Sequence, residues 1–151
     1  MKKLLVLALV AMIGATAFSK TLDEVFNAFP KADNVQDMTL DESMLGMAMS
    51  MGADQSGALK DIKSMRIIAI ENPTNEQVAI AKAICEEGVE GFDVMVDASE
   101  EGETALILTQ GDDKVINKML IIGIDNENVA IVLMEGNIKP DYADKYVNFG
   151  K

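Results

Sequence analysis

Beyond Gly91 the apolar residues of this chain stop recurring at helical spacing and begin to alternate. That change of period constrains the fold more than any other feature. Phe92, Val94 and Val96 alternate with Asp93, Met95 and Asp97, as in a half-buried strand. Glu100-Glu101-Gly102 turns the chain into Thr104 to Thr109, and Gly111-Asp112-Asp113 turns it into Lys114 to Ile124. Asp125-Asn126-Glu127-Asn128 then leads into Val129 to Glu135. Turns this short join antiparallel neighbours, because a parallel crossover needs about a dozen residues or more. The second half is therefore a meander of four strands. Its last two strands are apolar on both sides: Val129, Ile131 and Leu133 share one face, and Ala130, Val132 and Met134 the other.

The first half reads as helices with one or two strands. Thr21-Leu22-Asp23-Glu24 has the form of a capping box. Leu22, Val25, Phe26 and Phe29 follow at i, i+3, i+4 and i+7, the spacing of an amphipathic helix that Pro30 ends. A brief extended piece spans Val35 to Leu40, and Asp41 caps a second helix from Glu42 to Met51. Gly52 to Gly57 is a loop, and the β-branched run Met65 to Ile70 is a strand. Thr74 to Glu87 is a third helix, with Val78, Ala81, Ile84 and Cys85 on one face and Gly88 as its stop. Pro140 opens a last short helix bearing Tyr142, Tyr146 and Phe149. Helices early and strands late predict one α+β domain of two layers. Its antiparallel sheet is mainly the C-terminal meander of about four strands plus one or two earlier strands, with helices packed on one face.

The N-terminus has a secretory leader pattern. Lys2 and Lys3 precede an apolar run from Leu4 to Ile13, then small residues at Gly14, Ala15, Ala17 and Ser19. The run is about half the roughly twenty residues a membrane span needs, so no stable anchor is expected in the mature chain. Cleavage after Ser19, preferred over Ala17, assigns 1–19 to the signal peptide and 20–151 to the domain. The expected location is periplasmic or secreted. The formal charge of −12 becomes more negative by two when Lys2 and Lys3 leave. Such a surface repels phosphate backbones and argues against nucleic acid as a partner. The chain has no histidine, which removes the commonest general base and metal ligand. Cys85 is the single cysteine, so an intrachain disulfide is impossible and a buried thiol is expected.

The order of elements also resembles a known family. The segment Met44-Leu45-Gly46-Met47-Ala48-Met49-Ser50-Met51 is followed by the strand Ile62-Lys63-Ser64-Met65-Arg66-Ile67-Ile68. The closing hairpin runs from Met119-Leu120-Ile121-Ile122 to Val129-Ala130-Ile131-Val132-Leu133-Met134-Glu135-Gly136-Asn137. Together these resemble the exported Bacteroidetes proteins grouped as domain of unknown function 4252. The resemblance implies an envelope or secreted location in a Gram-negative bacterium and assigns no catalytic or binding residue.

Four constellations bear on function. Met44, Met47 and Met51, at i, i+3 and i+7, have the spacing of a core-facing stripe, and only Met49 points elsewhere. Core packing or an adaptable contact surface is preferred over thioether ligation of copper(I). The acidic pairs Asp112 with Asp113, and Asp125 with Glu127, read as turn formers rather than calcium ligands, lacking EF-hand spacing. Gly52 to Gly57 matches neither a nucleophile elbow nor a phosphate-binding loop, so no enzyme activity and no cofactor are expected. A cryptic carboxylate-pair hydrolase is the weakest alternative. The double-sided apolarity of the last strands is the fourth. A two-layer domain covers one sheet face, so the other needs the N-terminal segment, a second copy or a partner. The expected function is a non-enzymatic envelope module that binds a protein or self-associates, with Met49, Ala130, Val132 and Met134 on its interaction surface. The alternative is a small-ligand or copper(I) carrier using Met44, Met47 and Met51.

Overall fold

The computed structural model describes residues 20–51, 61–112 and 114–139. The leader, the Gly52–Gly57 loop and the helix expected after Pro140 lie outside the described residues. The elements are α1 (Leu22–Asn27), β1 (Val35–Leu40), α2 (Glu42–Ser50), β2 (Ile62–Glu71) and α3 (Asn75–Glu87), then β3 (Asp93–Glu100), β4 (Glu103–Gly111), β5 (Ile116–Ile124) and β6 (Asn128–Ile138). The fold is α+β, as the order of periodicities predicts.

The six strands form one antiparallel sheet in the order β1-β2-β6-β5-β4-β3. The meander supplies β3 to β6, and β2 joins it beside β6 with β1 at the outer edge. Register aligns the side chains in rows across the sheet. On the first face Ile68, Ile131, Ile122 and Leu106 form one such row, and Leu133, Leu120 and Leu108 the next. Val25, Phe26 and Phe29 from the α1 region and Ala81 and Ile84 from α3 complete this core. With about twenty-five calories per mole for each square ångström removed from water, this larger cluster dominates the folding energy.

Local chemistry sets the helix ends. The Thr21 hydroxyl accepts from Glu24 N at 3.2 Å and the Asp41 carboxylate from Met44 N at 2.9 Å. Thr74 and Gln77 form a full capping box at α3: Gln77 N donates to Thr74 Oγ1 at 3.1 Å and Thr74 N to Gln77 Oε1 at 2.9 Å. The buried Gln77 amide also exchanges two hydrogen bonds with Asn34, at 2.8 and 3.2 Å, and so ties α3 to the segment entering β1.

Two expectations change. The helices occupy both faces: α1 and α3 cover the first, while α2 lies over β1 and β2 on the second, where Leu45 joins Ile62, Met119, Met134 and Ile138. Asp41 starts α2 one residue after β1, so the helix folds back beside its own strand. The alternation expected from Phe92 through Val96 is also broken. A bulge at Met95 makes Val94 pair with Leu108 and Val96 with the adjacent Ile107, which places them on opposite faces. Val94 is consequently 61% exposed at the sheet edge.

Candidate functional site

The second sheet face has three rows, and α2 shields only one well. That row contains Met65, Met134 and Met119, and both Met134 and Met119 are buried in the cluster around Leu45. The middle row runs Met38, Ile67, Val132, Ile121, Ile107 and Val96. Ile67, Val132, Ile121 and Val96 in it are only half-buried. The third row is Ala69, Ala130, Gly123, Ala105 and Ala98, five small residues on five neighbouring strands. A row without long side chains makes a flat apolar ledge that another backbone can approach closely.

Beside this ledge α2 presents its methionines outward. Met44, Met47 and Met51 are 46%, 65% and 84% exposed, whereas Leu45 is buried and Ala48 and Met49 are half-buried. The helix is thus rotated from the expected phase: Leu45, Ala48 and Met49, at i, i+3 and i+4, form the inner stripe. Both stripes satisfy helical spacing, and branched Leu45 fills the gap over Met119 and Met134. Met38 of β1, on the same side of the sheet, is 49% exposed. No cation lies within α2, and Asp41 and Glu42 sit exposed at its start.

Of the residues expected on the interaction surface, Ala130 and Val132 lie in the half-open rows and Met49 is half-buried on α2. Met134 lies beneath α2. Structure adds Met38, Ile67 and Ile121, which only the β1–β2–β6–β5 pairing brings together. Cys85 is half-buried on α3 with its thiol pushed up to about 11, by burial first and then by Asp97 and Glu86. It is a poor nucleophile and a poor metal ligand.

The acidic turns are locked by backbone hydrogen bonds. Asp112 Oδ1 accepts from Lys114 N and Val115 N at 2.8 and 2.9 Å, which holds its carboxyl below the usual range. Asp125 Oδ1 accepts from Glu127 N and Asn128 N at 2.7 and 2.6 Å. Both act as Asx turns, and Asp113 lies outside the described residues. Among the described residues no three histidine, cysteine or acidic side chains gather as a metal site, and no helix is long and apolar enough to cross a membrane.

No curated protein and no solved structure matches the chain. The family model of Domain of unknown function (DUF4252) matches residues 26–146, from Phe26 on α1 past the end of β6. The chain belongs to the DUF4252 family.

Proposed function

We propose that this is an exported, non-enzymatic binding module of the bacterial envelope that docks a partner protein on its second sheet face. The observation that carries the reading is the half-open apolar face, Ile67, Val132 and Ile121 with the alanine ledge, flanked by three outward methionines of α2. Unbranched thioether side chains adapt to varied apolar shapes and suit a contact surface. Charge selects the partner. The mature chain, two charges more negative than −12 once Lys2 and Lys3 leave, opposes docking of a second identical copy and favours an apolar segment flanked by lysine or arginine. The leader pattern supports placement outside the cytoplasm, and the family resemblance supports a Bacteroidetes source.

A second reading rests on the same exposure. Three thioethers within eight residues, along one side of α2 and its C-cap, offer soft ligands suited to copper(I). One pair of variants separates the two. Replacing Met44, Met47 and Met51 by leucine keeps apolar area and removes sulfur, whereas glutamine removes both. Partner docking survives leucine and is lost with glutamine, as read by crosslinking of the mature protein to its envelope partner. Copper(I) retention against a chelator, lost in both variants, supports the carrier. Docking that survives glutamine contradicts the proposed surface.

A further inference from the structure

The first sheet face changes character at one level. Its apolar rows end at Leu133–Leu120–Leu108, and the next row is Ser64, Glu135, Lys118 and Gln110. Arg66, the only arginine in the chain, stands beside that change. Its Nε and Nη2 donate to the two Asp37 oxygens at 3.3 and 3.0 Å, and its guanidinium carbon lies 4.5 Å from the centre of the Phe26 ring. This fork and stack orient the guanidinium, and the Asp37 contacts use two of its five N–H donors. α1 rises over the polar row as a wall. Between wall and floor lies a half-open groove of about 520 Å³, large enough for a small molecule.

The lining combines three chemistries. Arg66 and Lys118 are cationic, Asp23 and Glu135 are anionic, and Phe26 and Leu133 are apolar. A simple anion placed here meets two carboxylates, and a simple cation meets two positive groups. A ligand carrying both charges satisfies both pairs. The internal contacts it displaces are weak: Lys118 Nζ lies 3.7 Å from Glu135, and Ser64 Oγ donates to Glu135 at 3.3 Å.

We propose that this groove binds a small zwitterion with an apolar body, the chemistry shared by a free apolar amino acid and a short peptide. Its carboxylate lies on Arg66 and Lys118, its ammonium on Asp23 and Glu135, and its side chain on Phe26 and Leu133. The site is on the opposite face from the docking surface, so each stands without the other.

Titration of the mature protein, followed by amide NMR, tests this with leucine, the dipeptide Leu-Leu, N-acetyl-leucinamide and octanoate as probes. The expected result is that leucine or Leu-Leu shifts the amides of Phe26, Ser64 and Leu133. The neutral amide and the fatty anion should bind at least about tenfold more weakly, the lower range for losing a charged hydrogen bond. Binding of leucine alone identifies an amino-acid site, and tighter Leu-Leu binding a peptide site. Lys118→Gln and Glu135→Gln, both on partly exposed side chains, should each weaken binding about tenfold with a folded spectrum. Arg66→Lys tests the fork while keeping the charge. Absence of zwitterion binding, octanoate binding as tight as leucine, or unchanged affinity in both glutamine variants overturns the proposal. Retained zwitterion binding in the Met44, Met47 and Met51 glutamine variant shows that the groove acts independently of the docking face.

Discussion

Burial, with Asp97 and Glu86 nearby, keeps the Cys85 thiol neutral at physiological pH. Thiol reagents should therefore label the native protein slowly at pH 7.5 and rapidly after denaturation, as followed by mass spectrometry. Fast labelling of the folded monomer would place Cys85 on an exposed face of α3. The same shift has a stability consequence. Below pH 9 both folded and unfolded chains hold the thiol proton. Between 9.0 and about 11 the unfolded chain ionises first, so stability falls as pH rises through this window and levels off beyond it. Cys85→Ala should abolish that contribution and cost on the order of 1 kcal/mol in packing, measured by urea unfolding at pH 7. The position of Cys85 on an inner face was legible because α3 has a polar side, with Glu76, Lys82 and Glu86 marking the direction of water. α2 has no such contrast. Met44, Met47 and Met51 and the set Leu45, Ala48 and Met49 both recur at helical spacing, and only the surface of the sheet decides which turns inward.

The elements themselves were largely written in local chemistry. Asp41 before α2 is a cap read from spacing, and Asp112 and Asp125 mark turns, whereas the box of Thr74 with Gln77 emerges only in the structure. What depends on distant residues was not readable. Asn34 and Gln77 are 43 positions apart, yet each satisfies the other's amide. Gln77→Ala should remove the capping box and leave the Asn34 amide short of partners, costing about 2 kcal/mol by thermal unfolding. A double-mutant cycle with Asn34→Ala should show coupling, and additive losses would contradict the pairing. Two glycines make an opposed pair of tests. Gly136 faces the start of β2, where an added Cβ would meet the Asp61 carbonyl and Ile62 Cα, so Gly136→Ala should cost about 1–3 kcal/mol. Gly46 in α2 has open space around it, so Gly46→Ala should gain about 0.5–1 kcal/mol through helix propensity. Reversal of either sign would mean that α2 or the β2–β6 register differs from that described.

At the scale of the molecule, the described residues form a sheet with one face closed by α1 and α3 and the other covered only in part, by α2. Double-sided apolarity in β5 and β6 predicted that a second cover is needed. The sequence could not reveal that β2 inserts beside β6, which aligns Ala69, Ala130, Gly123, Ala105 and Ala98 into one flat row. The edges differ as well. β3 is guarded by its bulge and by Asp93, Asp97 and Glu100, whereas Asp37 is the only charge on β1 and pairs inward with Arg66. Two charges more negative than the full chain's −12 once Lys2 and Lys3 leave, the mature chain should run as a monomer at low ionic strength, and light scattering should show any self-association rising with salt as repulsion is screened.

The α2 methionines and the adjoining open rows are proposed as a docking surface for an apolar segment with basic flanks. The most direct measurement is NMR of methionine methyl groups during titration with an amphipathic helical peptide bearing leucines on one face and lysines at its ends. Saturable shifts are expected at Met38, Met44, Met47 and Met51, with unchanged signals from buried Met119 and weaker binding at high salt. Absence of binding, or binding that leaves these four methyl signals unmoved, would mean that this face is not the docking surface.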